Sequence, residues 1–110
     1  MFQLREIPKV KGSILQNTKE CYVTRKRENR SRTDNLHKHH IFEGNPNRKL
    51  SEKYGLWVYL TGLYHNQSNE GVHCGNHDLD MQLKQDAQRA FEQTHSRDDF
   101  IRIFGRNYLD

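Results

Sequence analysis

Leu36–Phe42 reads LHKHHIF, with three imidazoles in four positions between a leucine and an Ile-Phe pair. Further on, Leu56–Leu60 reads LWVYL, an unbroken run of large and branched apolar side chains. Such runs are strand formers, and LWVYL must be largely buried. The two stretches predict short strands over Leu36–Phe42 and Leu56–Leu60. Alternate residues of a strand face opposite ways, so His37 and His39 share one face while Lys38 and His40 share the other. Adjacent His39 and His40 therefore cannot both bind one ion from a regular strand. One can hold a cation while the other acts on a nearby water.

Working outward, Glu43–Gly55 (EGNPNRKLSEKYG) reads as a loop, with some helical turn around Leu50–Tyr54. Upstream, Cys21–Thr24 (CYVT) has strand character, and Arg25–Asn35 is a charged loop ending in Thr-Asp-Asn turn chemistry. Residues 1–19 form an N-terminal arm with at most one short strand. Downstream of LWVYL, the segment TGLYHNQSNEGVHCGN suggests a brief helical start and then an ordered loop. The clearest helix spans Asp78 to Gln93. Leu79, Leu83, Ala87, Ala90 and Phe91 recur there at steps of three and four, behind an Asn76 cap. Ser96 is placed to cap a last helix carrying FIRIF, with Gly105 closing it.

Composition bounds the rest. One domain fits 110 residues. The apolar fraction is 33% and the mean hydropathy −1.10, so the core must be small. Phe42, Trp57, Tyr59, Leu60, Leu83, Phe91, Ile101 and Phe104 are its candidates, and a bound ion or an oligomer contact would help so polar a chain. Charge is uneven. Residues 1–53 hold 13 Lys/Arg against 6 Asp/Glu, while residues 54–110 hold 5 against 8. The basic half suggests a polyanionic partner. With two distant cysteines and no secretory signal or apolar run of membrane-spanning length, a soluble, reducing compartment is expected.

Six of the seven histidines lie between residues 37 and 77. Histidine serves as metal ligand and general base because its pKa sits near neutrality. The ordered series HKHHIF, LWVYL, YHN resembles the HNH endonucleases, also called ββα-metal or His-Me finger nucleases. The longer series, from LHKHHIF through NRKLSEKYGLWVYLT, SNEGVH and LKQ to IFGRNYL, resembles small HNH-type proteins of bacteriophage and prophage genomes. It covers roughly residues 20–109.

That resemblance implies an α+β fold: a small ββα-metal core over residues 20–110, with C-terminal helices and a basic N-terminal arm and loop. It implies a metal-dependent endonuclease acting on nucleic acid, DNA ahead of RNA, in the cytoplasm of a bacterial host. His40 matches the general base, and His39, His65 and His73 match ligands of one divalent cation, with His77 or Asn69 as substitutes for His73. Imidazole ligands suit Zn, Ni or Mn, and the family also accepts Mg. Arg25, Lys26, Arg27, Arg30, Arg32, Lys38, Arg48 and Lys49 flank the site and would hold phosphates. The family's middle Asn falls near Gly55 or Leu56 here; Asn47 precedes that place and Asn66 follows it. Thr24 stands where a CxxC pair with Cys21 would need a second thiol. His37 reads as exposed or as a support behind the ligands, and His95 as a surface residue. The rival reading is a non-catalytic DNA-binding or phage accessory protein stapled by a metal, or an inhibitor that binds another protein. No membrane partner is expected, and a homo-oligomer stays open.

Overall fold

The computed structural model describes residues 8–110, so residues 1–7, the start of the expected arm, lie outside the described part. Two antiparallel strands are joined by a helix and packed against further helices, which makes a small α+β domain. Strand β1 is Leu36–His40 and β2 is Trp57–Thr61, paired from Leu36 opposite Thr61 to His40 opposite Trp57. Both predicted strands are present. Ile41 continues the ladder by one hydrogen bond from its N–H to the Leu56 carbonyl.

The helices are α1 Tyr22–Glu28, α2 Asn47–Tyr54, α3 Gly62–His65, α4 His77–Phe91 and α5 Arg97–Phe104, with a 3₁₀ turn at Val72–Cys74. Two segments differ from the sequence reading. CYVT is not a strand: its last three residues open α1, which runs into the segment read as a charged loop. The strong helix formers Arg25–Glu28 extend the turn, while Val23 and Thr24 bury one side of it. Asn29 ends it in the left-handed conformation that asparagine tolerates. The segment read as a loop at Glu43–Gly55 holds two full turns of helix, since the RKLSEK run is rich in helix formers. Helix α4 lies where periodicity put it, and α5 where its caps put it. The Asn76 and Ser96 side chains accept from the N–H groups of Leu79 and Asp99.

The core gathers Phe42, Leu56, Val58 and Leu60 from the sheet region, Leu79, Leu83, Ala87 and Phe91 from α4, and Phe100 and Phe104 from α5. Phe42 contacts the rings of Phe100, Phe104 and Tyr108. Of the expected core residues, Tyr59 and Ile101 are half-buried.

Two anchors position the site. The buried Ser51 hydroxyl accepts from the Phe42 N–H and donates to the Phe42 carbonyl, clamping α2 to the chain just past β1. Residues 8–19 form no helix or strand, but they line the free edge of β2. Ser13 Oγ donates to the Trp57 carbonyl and Gln16 Oε1 accepts from the Tyr59 N–H. An open strand edge exposes unpaired backbone groups, and this arm satisfies two of them. Among the described residues no helix is long and apolar enough to cross a membrane.

Candidate metal centre

The strand pleat turns His37 and His39 to one side of the sheet, toward α3 and the 3₁₀ turn. His65 is the last residue of α3, brought alongside β1 because α3 begins where β2 ends. His73 comes from the 3₁₀ turn. The rings of His39, His65 and His73 lie 4.6–5.3 Å apart between centroids. Each offers a nitrogen, and the three nitrogens all fall within 4.8 Å of one another. His39, Glu43 and Asp80 form a second group that meets the same distance. The fold therefore brings the three expected ligands together. Asp80, in the first turn of α4, was not anticipated.

Burial and charge distinguish these residues. His39 is 2% exposed and its Nε2 has no hydrogen-bond partner. Burial pushes its pKa down to about 3, helped by the neighbouring His65, His73, His40 and Lys84. His65 falls to about 4 through burial and the proximity of His73 and His37. Both are thus neutral imidazoles with lone pairs, the form a cation requires. Asp80 Oδ1 is also buried without a partner, while its Oδ2 accepts from Lys84. Buried polar atoms are nearly always satisfied, so two orphans around one group of imidazoles call for an explanation. A divalent cation supplies one for His39: three imidazole nitrogens are a donor set that Zn, Ni or Mn accepts, while Asp80 belongs to the second group, which shares His39 with the first. His77, one of the named substitutes, belongs to neither group.

His40 lies apart from the ligands, as the strand pleat requires. Its Nε2 sits 2.9 Å from Glu52 Oε1, which also accepts from Lys38 Nζ at 2.7 Å. These hydrogen bonds, from His40 first and Lys38 second, hold the Glu52 carboxyl below the usual range. A carboxylate only accepts, so the His40 Nε2–H is the donor to Glu52. Glu52 is thus the group that orients His40, where the family pattern would have used an Asn. Sequence reading missed it because its placement depends on α2 and the Ser51 clamp. Asn47 begins α2 and Asn66 follows α3.

A cleft of about 280 Å³ joins these groups, lined by Lys38, His39, His40, Glu43, Gly44, Arg48, His65 and His73. Of the eight basic residues named from sequence, Lys38 and Arg48 line it. Arg25, Lys26, Arg30 and Arg32 are engaged with Glu20, Asp86, Glu28 and Asp34. Arg27 lies over the Tyr64 ring. Arg48 and Lys49 are exposed and make no ion pair among the described residues. Cys21 is buried and Cys74 exposed, both as free thiols. His37 is half-buried against His65, and His95 stacks on Phe91.

Comparison with protein-family models, curated proteins and solved structures finds no match to this chain. The geometry of the cleft is what bears on function.

Proposed function

We propose that the chain is a metal-dependent endonuclease of the HNH type, with a ββα-metal core formed by β1, β2 and α3, hydrolysing phosphodiester bonds of nucleic acid, DNA ahead of RNA. One observation carries this reading. Three imidazoles converge in a cleft that also holds a fourth, His40, kept off the group and braced by a carboxylate. A purely structural metal site has no use for that fourth ring or for an unpaired guanidinium at its mouth.

His39, His65 and His73 would hold the ion. When bound, a divalent cation neutralises charge developing on the phosphate and steadies the leaving oxygen. His40 Nδ1 takes the proton of the attacking water, and Glu52 stabilises the imidazolium so formed, as a carboxylate does for a catalytic histidine. Arg48 offers two parallel donors to the non-bridging phosphate oxygens, and Lys38 a point charge beside them.

The test is plasmid nicking with Mg, Mn, Ni or Zn, comparing the parent with His40→Ala. Nicking by the parent, and its loss in a folded His40→Ala that still takes up metal, supports the enzyme. A parent that binds metal and DNA yet nicks with none of the four ions is the metal-stapled DNA-binding protein instead.

A further inference from the structure

His65 has two ring nitrogens, and Nδ1 is already engaged, 2.9 Å from Nδ1 of His37. Two Nδ1 atoms can share one hydrogen only if one ring donates and the other accepts. The next link decides which. His37 Nε2 faces Asn35 Oδ1 at 3.2 Å. Asn35 in turn uses its amide NH₂ on Gln67 Oε1 at 2.9 Å, so its oxygen is the atom left for His37. An amide oxygen only accepts. His37 therefore carries its proton on Nε2, its Nδ1 is the acceptor, and His65 Nδ1 donates.

We propose that Asn35 and His37 are positioning residues that fix the tautomer of His65, so that its Nε2 is the nitrogen offered to the ion. This deepens the metal reading above and rests on it. Metal-binding imidazoles commonly donate their other N–H to such a partner, which fixes the ring and raises its basicity. The backbone supports the chain of bonds at both ends. Asn35 sits at φ 52, in the left-handed region where Asn is among the tolerated residues, and its carbonyl accepts from the Gly62 N–H where β2 passes into α3. A Cβ on Gly62 would collide with the Gln67 carboxamide, so the glycine leaves room for the amide pair. His37 and His65 are thereby held from the two strand ends that the fold already pairs.

The assignment is read directly by long-range ¹H–¹⁵N spectra of the zinc-loaded parent. His65 should show a protonated Nδ1 and a coordinated Nε2, with His37 unliganded. Zinc affinity, measured by competition with a chromogenic chelator, should fall about 10–100-fold in His37→Ala. His37→Asn, whose Oδ1 stands where the ring Nδ1 stood and still accepts from His65, should recover most of that loss. Asn35→Gly keeps the left-handed backbone while removing the amide, so it should weaken zinc binding with little change in the melting of the metal-free protein. Coordination of His65 through Nδ1, coordination of His37, or an unchanged affinity in His37→Ala would each overturn the relay while leaving the metal site standing. A parent that takes up no zinc would overturn both. Zinc bound as described in a protein that cleaves nothing would remove the nuclease reading and leave the relay intact.

Discussion

Acidifying the metal-free protein should unfold it from the histidine cluster outward. His39 is buried and neutral, with a pKa of about 3 in the fold against 6.5 for the free side chain. The unfolded chain takes up a proton there below about pH 6.5, while the folded chain does not until about pH 3. Between those values the unfolded state binds more protons, so stability falls as pH falls. The whole shift corresponds to about 5 kcal/mol, of which about 2 kcal/mol is lost between pH 7 and pH 5. His65 adds in the same direction, by less than its shift implies because solvent reaches it. Urea unfolding with chelator present, at pH 7 and pH 5, measures this in the parent and in His39→Leu. The parent should lose about 2 kcal/mol more than the variant, a midpoint difference of roughly 1 M urea. Equal losses in the two proteins would show that His39 is not a buried neutral imidazole, and the electrostatic account of the site would fail with it.

At pH 7 and without metal, His39→Leu should be at least as stable as the parent, because it removes an unpartnered buried nitrogen whose desolvation costs about 1–3 kcal/mol; a melting scan reads this, and added zinc should raise the melting temperature of the parent alone. His40→Ala should keep zinc affinity and lower cleavage by about 10²–10⁴-fold, whereas Glu52→Gln, which still accepts from Nε2–H but carries no charge, should fall between parent and His40→Ala in single-turnover assays. Arg48→Ala should weaken DNA binding evenly across sequences and reduce the slope of log affinity against log salt by about one, as a titration at several salt concentrations would show. Ser51→Ala should destabilise the fold by about 1–3 kcal/mol in urea, since it strips both partners from the Phe42 backbone.

The strands were legible because LWVYL and LHKHHIF carry their own signal, and α4 because its apolar residues keep a helical period over four turns. Helices α1 and α2 were hidden. Each is about two turns long, rich in charge, and stabilised by burying a few of its own residues: Val23 and Thr24 of α1, and Ser51 of α2, which clamps Phe42. The ligand set His39, His65 and His73 could be proposed from order along the chain, as a match to a pattern. Asp80 and Glu52 could not, because nothing local distinguishes a carboxylate on a helix that faces water from one that faces a buried imidazole.

By itself the sequence determined which segments alternate, which helices are capped, and that His39 and His40 must face opposite sides, since a period of two is a property of the backbone alone. Tertiary structure decided everything that depends on meeting across distance. It set which imidazoles share a cleft, that Glu52 rather than an asparagine holds His40, that most of the basic loop is engaged by carboxylates, and that Asn35 and His37 stand behind His65. Those outcomes follow from where the helices between the strands pack, and packing is a sum over many weak contacts that no short stretch of chain encodes.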